Sequence, residues 1–258
     1  MSFSGHVRAV SRILLSVLMT LVLLVIWGTA WLLCLGAERP AIAIRGWIVQ
    51  HWSRGLARII GMRRVVIGEP PTPPFCLVAN HLSYIDVIVL HACTKGVLVS
   101  RADVAKWPGI GFLARIAGTL FINRRRIREI VDINEQIRDV LDRGDGILFF
   151  PEGAATSGDG VAKFRSPLQN YPAALSYPVH FAAIDYKSDT FDVRMHVCWW
   201  ADMTFADHLY TLLSKRGFQA RVQFGDEPVI ESDRKELAAR LEQEARQLYE
   251  PVRNTPPT

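Results

Sequence analysis

Residues 13–35, ILLSVLMTLVLLVIWGTAWLLCL, hold 23 positions without a charge. A helix of that length crosses a bilayer with some tilt. Arg8 and Arg12 precede the run, and Trp27 and Trp31 stand near its far end, where tryptophan favours the interface. The run is long for a signal peptide, and no A-x-A-like cleavage site follows Gly36. An uncleaved anchor is therefore expected; a signal peptide or a buried soluble helix are the alternatives. After Pro40 the pattern changes. Over 41–61, Ile44, Trp47, Ile48, Trp52, Leu56, Ile59 and Ile60 recur at helical spacing, with Arg45, Arg54 and Arg58 mostly elsewhere. Such a helix suits the headgroup layer, the surface of a folded domain, or each through a different face.

Beyond the PPTPP stretch at 70–74 the apolar runs shorten. Residues 75–79, 97–100, 118–122, 147–150, 179–184, 191–199 and 220–224 predict strands. Residues 80–93 open as a loop and continue as a helix. A stripe of Ile127, Ile130, Ile133, Ile137 and Leu141 predicts another helix, and Ser232 opens a last one carrying Leu237, Leu241 and Leu248. Strands separated by helical stretches predict an α/β fold. Its sheet is mainly parallel or mixed, with flanking helices, preceded by an N-terminal membrane-anchoring helical region. The chain divides into 1–64, the anchor and amphipathic basic helix; 65–251, the globular domain; and 252–258, a flexible tail.

Composition narrows the class. With 258 residues, half of them hydrophobic, the chain buries a core and is not disordered. Cys34, Cys76, Cys93 and Cys198 lie far apart with no CxxC pair, so neither a zinc knuckle nor a disulfide framework is expected. The net charge of +5 is uneven: residues 39–64 hold six arginines and no acid, while the region after Asp226 is acid-rich. A basic stretch directly behind a lipid-like segment fits an anionic membrane surface rather than a nucleic acid. The basic excess behind the anchor favours a cytoplasmic main domain.

Three polar clusters follow apolar strands. In VANHLSYID, 78–86, His81 and Asp86 meet if His81 lies just before a helix and Asp86 in its first turn. A histidine with an orienting carboxylate is a general-base pair. Ser83 and Asp86 also have capping-box spacing, which alone would account for Asp86. No G-x-S-x-G elbow is present, so the histidine would activate a substrate hydroxyl rather than a side-chain nucleophile. In GTLFINRRR, 118–126, the strand delivers Asn123 and Arg124 to a sheet edge, where a guanidinium grips a phosphate with two N–H bonds. Arg125, Arg126 and Arg128 read as solvated or lipid-facing. In FFPEGAATSGDG, 149–160, Glu152 either orients a substrate hydroxyl or holds an arginine, with a structural salt bridge as the plainer account. Three strand ends with polar residues predict one crevice at the carboxyl edge of the sheet.

The ordered blocks NHxSxxD, GxxFIxR and FPEG resemble those of the membrane-bound glycerolipid acyltransferases, the lysophospholipid acyltransferases that include 1-acyl-glycerol-3-phosphate acyltransferase. The likeness covers about 65–230, and YPVHFAAIDY at 177–186 resembles a fourth block. The resemblance implies acyl transfer from an acyl-CoA or acyl-carrier-protein thioester to a lysolipid hydroxyl. It makes His81 the base, Asp86 its orienter, Arg124 a headgroup ligand, and Glu152 and Gly153 shapers of the acceptor site. No cofactor or metal is implied. The partners are membrane lipids, the lysolipid and the acyl donor, and the place is the cytoplasmic face of a bacterial inner membrane. The family often continues its third block as EGTRS; here Ala154 and Ala155 stand in the threonine and arginine positions. TSGDG…KFRSPL and CWWADMTFADHL resemble the lyso-ornithine-lipid acyltransferase branch. The expected acceptor is 1-acyl-glycerol-3-phosphate, giving phosphatidic acid, with lyso-ornithine lipid as the alternative. A non-catalytic lipid-binding protein and a lipid hydrolase are the remaining readings.

Overall fold

The computed structural model describes residues 2–34, 38–123 and 127–252, apart from the side chains of 34, 38–39 and 127–132. Its helices are α1 (Phe3–Cys34), α2 (Glu38–Ile59), α3 (Ile85–Cys93), α4 (Ile110–Ile116), α5 (Ile127–Asp142), α6 (Asn170–Ala174), α7 (Val193–His196), α8 (Phe205–Ser214) and α9 (Arg234–Leu248). Its strands are β1 (Met62–Ile67), β2 (Phe75–Ala79), β3 (Val97–Arg101), β4 (Leu120–Ile122), β5 (Gly146–Phe149), β6 (Val179–Lys187) and β7 (Phe218–Phe224). They form one sheet in the order β1-β7-β6-β2-β5-β3-β4. All neighbours pair parallel except β6 and β7. This is the mixed, mainly parallel α/β sheet that the sequence predicts.

The central strands β2 and β5 are buried at every position, which is why both read as unbroken apolar runs rather than alternating ones. On α5, Ile133, Ile137 and Leu141 lie in the core as the stripe predicts. The side chains of Ile127 and Ile130 lie outside the described residues.

Two elements differ from the sequence reading. The strand expected over 191–199 is instead α7 followed by turns. Asp192 accepts the amide of Arg194 at 2.8 Å and starts a helical turn, so the apolar residues there pack as a corner. Conversely, β1, which the sequence does not predict, begins directly after the amphipathic segment 41–61. Arg63 is exposed and Arg64 turns inward to Ala92 O, and the strand pairs with β7 at the edge of the sheet. The sheet thus begins at Met62, within 1–64. At the other end Val252 is buried and its amide donates to Gly158 O at 3.0 Å; the rest of the expected tail, 253–258, lies outside the described residues.

The first two helices pack on each other: Trp52 Nε1 donates to Thr20 Oγ1 at 2.9 Å, and a Cβ on Gly55 would meet Met19 Sδ at 2.3 Å. The apolar stretch of α1 is only 6% buried. By contrast, α2 packs on the sheet and α3 through Ile48, Leu56 and Ala57, as the reading of a helix on the surface of a folded domain has it, while Trp47 stays exposed. Its arginines are partly spent inside the protein. Arg45 pairs with Asp145, and Arg54 Nε donates to Ala92 O at 2.9 Å, joined there by Arg64 at 3.2 Å. Gln50 donates to Cys93 O at 3.1 Å. These bonds satisfy carbonyls that the end of α3 leaves without helical partners. Arg8 and Arg12 do the same for α8, donating to the carbonyls of Leu213, Ser214, Lys215 and Arg216 at 2.6 to 3.0 Å.

Candidate active site

Strand β2 ends at Ala79, and the next two residues fix the site. Asn80 is fully buried and exchanges two hydrogen bonds with Ile184 of β6, Nδ2 to the carbonyl at 2.9 Å and amide to Oδ1 at 2.7 Å. This clamp stands in for a ladder where the strands diverge. His81 follows at the carboxyl edge. Its Nδ1 lies 2.7 Å from Asp86 Oδ2 on the first turn of α3. Since Asp86 accepts, Nδ1 carries the proton and Nε2 is left as an acceptor. The imidazole stacks on Phe150, with centroids 4.2 Å apart and planes 10° apart. One neighbour sets the ring plane and the other its rotation within that plane.

Asp86 is fully buried. Beyond His81, its Oδ2 accepts the amides of Leu82 and Ser83 at 2.6 and 2.9 Å, and its Oδ1 accepts the Tyr186 hydroxyl at 2.5 Å. The two readings of Asp86 therefore coexist: it holds the backbone that opens α3 and it holds the imidazole. The Ser83 hydroxyl takes no part in this cap.

The third block returns to the same place. Thr156 donates to His81 O through its amide at 3.0 Å and its hydroxyl at 3.2 Å. Gly153 adopts φ 87°, a left-handed conformation that strains any side-chain-bearing residue. Glu152 is buried and, among the described residues, forms no ion pair. Burial pushes its carboxyl up to about 8, against the pull of the His81 and Ala162 backbone, and the charge of Asp86 adds to the rise. It is thus largely a neutral acid at pH 7.

The second block enters from β4, parallel to β3, so the chain leaves Ile122 at the same edge. Arg124, with Arg125 and Arg126, lies outside the described residues. His81, Asp86, Glu152 and Gly153 do converge. Tyr186, Asn80 and Phe150 were not singled out from the sequence. Tyr186 closes the fourth block, and its signal was a buried-type strand carrying one phenol that needs a partner. An aromatic wall adjoins the pair. Tyr84, Trp107, Trp199 and Phe205 meet at centroid distances of 4.9 to 6.3 Å, and the Tyr84 hydroxyl lies 3.0 Å from His208 Nδ1. His91, in the last turn of α3, is buried and burial lowers it to about 4, so it stays neutral.

Comparison with known proteins identifies the family and the fold. The Acyltransferase family model matches residues 64–183. Lyso-ornithine lipid O-acyltransferase of Rhodobacter capsulatus is 38% identical over 192 residues, 71% of this chain and 69% of that protein. The 1-acyl-sn-glycerol-3-phosphate acyltransferase of Neisseria meningitidis is 30% identical over 161 residues, 61% of this chain and 63% of that protein. The fold is that of the 1-acyl-sn-glycerophosphate acyltransferase of Thermotoga maritima, with a TM-score of 0.62 at 17% identity over 93% of this chain and 97% of that one. On the family match and the Rhodobacter relative, the chain belongs to the acyltransferase family and is an enzyme of that class.

Proposed function

We propose that the protein transfers a fatty acyl group from acyl-CoA or acyl carrier protein to the free hydroxyl of a lysolipid at a membrane surface. The observation that carries this reading is the His81 Nδ1–Asp86 bond, which leaves Nε2 to receive a proton. His81 Nε2 takes the acceptor's hydroxyl proton as the oxygen attacks the thioester carbonyl. A C–O bond forms, the tetrahedral intermediate collapses with loss of the C–S bond, and the imidazolium returns the proton to the departing thiolate. No covalent acyl-enzyme is formed. Glu152 and Gly153 shape the acceptor side of the pair, and Arg124 supplies a cation for the headgroup.

For the acceptor, lyso-ornithine lipid is the first choice. Relatives from Rhodobacter capsulatus and Brucella abortus carry that activity in their names, the latter 29% identical over 229 residues. The third block lacks its arginine, and the cation that approaches this loop is Arg194, bonded to Asp159 at 2.8 Å. An arginine beside an aspartate suits a headgroup bearing both a carboxylate and an ammonium, and Asp159 disfavours a phosphate dianion. Lysophosphatidic acid is the second reading, favoured by Arg124 in the second block and by the Neisseria relative. The exposed apolar face of α1 supports attachment to a membrane, and the basic excess behind it in the sequence is the ground for reading that membrane as a bacterial inner membrane with the domain on its cytoplasmic side.

The test is a competition. Purified enzyme receives equal lyso-ornithine lipid and lysophosphatidic acid with one acyl thioester; thiol release is followed and products are identified by mass. Ornithine lipid is expected to dominate, and Arg194→Ala to raise KM for that acceptor about tenfold. Phosphatidic acid as the main product reverses the choice of acceptor. Failure to release thiol with any lysolipid removes the reaction itself.

A further inference from the structure

Where α1 begins, it meets the end of α8 and the loop after β6. Ser2, Gly5, Arg8, Thr190, Ser214, Lys215 and Arg216 line a cavity of about 330 Å³ there. Three of these residues are cationic and none is acidic. Among the described residues, Arg8, Lys215 and Arg216 form no ion pair. The C-terminal carbonyls of α8, which would oppose an anion, are already taken by Arg8 and Arg12. The first turn of α1 adds the positive end of its dipole, although the amides of Gly5 and His6 are already held by Ser2. Lys215 lies over the Phe191 ring at 5.6 Å, a contact that leaves its charge uncompensated.

The cavity also has a definite place in the fold. Strand β6 runs parallel to β2, so the carboxyl end of β6 and the start of β7 lie at the same sheet edge as His81. Helix α8 joins the two sites: His208 meets Tyr84 of the first block, and the Ser214 carbonyl meets Arg8. Six residues of helix separate these contacts, about 9 Å. Phe3 and Val7 of α1 are exposed beside the cavity, where acyl chains would run.

We propose that this cavity binds the phosphodiester headgroup of an anionic phospholipid, separately from the acceptor lysolipid, and so seats the catalytic edge against the bilayer. Phosphate oxygens accept from Arg8, Lys215 and Arg216, while the lipid's chains follow the apolar face of α1. The ligand is a structural lipid and is not consumed.

The full-length protein in neutral detergent is titrated by calorimetry with dihexanoyl-phosphatidylglycerol, dihexanoyl-phosphatidylcholine and inorganic phosphate. The expected result is one phosphatidylglycerol per chain, bound at least about tenfold more tightly than phosphatidylcholine. Lys215→Gln with Arg216→Gln weakens it about tenfold or more, whereas Arg234→Gln with Lys235→Gln, at the exposed start of α9, leaves it unchanged. Both pairs are surface substitutions that keep the fold, which thermal melting verifies, and turnover of a soluble short-chain acceptor is expected to be unaltered by either. Equal binding of the two lipids, or equal loss in the α9 variant, overturns the site. Inorganic phosphate binding as tightly as the lipid assigns the cavity to a free anion and overturns the lipid reading.

Discussion

At Asp86, four hydrogen-bond donors from the imidazole, two amides and a phenol meet one carboxylate. An asparagine offers one acceptor oxygen and an NH2 group that faces donors. Asp86→Asn should therefore turn the imidazole to the wrong tautomer and lower kcat by about three to four orders of magnitude, while the protein still folds. Single-turnover thiol release together with a melting curve checks this. Glu152 gives a different signature. Its folded pKa of about 8 exceeds the ordinary carboxylate value, so the folded state holds the proton more tightly than the unfolded state. The stability this provides is complete below about pH 4.5 and is lost as pH rises through about 8. Asp185 has the same sign but is raised only to about 6, so it is spent before pH 7. Between pH 6.5 and 8 the melting temperature should fall in the wild type and stay nearly flat in Glu152→Gln. Equal slopes would mean that Glu152 titrates normally. At this scale the sequence showed the residue types well, because His81, Asp86 and the FPEG turn are polar interruptions directly after apolar strands. It did not show Tyr186, whose partner is 100 residues away. Pairing at that distance depends on which strands are neighbours, and composition along the chain carries no record of it.

Among the elements, helix ends decide more than helix middles. Helices α3 and α8 flank the site, and both finish in carbonyls satisfied by arginines from the N-terminal region. Arg12→Ala removes three charged hydrogen bonds at once. It should cost about 2 kcal/mol and lower the melting temperature by about 4–8 °C, with KM shifting more than kcat as α8 loosens against Tyr84. An unchanged melting curve would show that water replaces the guanidinium without cost. The elements themselves were legible where burial is uniform. The fully buried β2 and β5 match their apolar runs, and the α5 stripe matches its inward face. Strand β1 was hidden because an edge strand is only partly buried, and here two arginines open it directly after a basic helix, which blurs the boundary between the two. The stretch 191–199 misled for the opposite reason: a tight corner can be as apolar as a strand, and only the Asp192 cap distinguishes it.

Over the whole molecule, the N-terminal region is a buttress as well as an exposed apolar surface. Arg45, Arg54 and Arg64 belong to a run that net charge alone assigns to anionic lipid, yet each is bonded within the protein. Charge counting overstated the basic surface, since a guanidinium is equally suited to helix carbonyls and to phosphates. The strand order was likewise beyond the sequence: local patterns give strands but not the single antiparallel seam between β6 and β7 that turns β7 back beside β1. The bonds from Arg8 and Arg12 to the end of α8 span 201 to 206 positions. At about 5–20 residues per second of synthesis, the first helix leaves the ribosome roughly 10–40 s before its acceptors exist. During that interval its arginines have no native partner, and its apolar face is already seeking lipid. On the proposed membrane attachment, the nascent chain would meet the bilayer first and close its folded body onto an anchor already in place, so that the enzyme would be assembled at its site of work rather than delivered there.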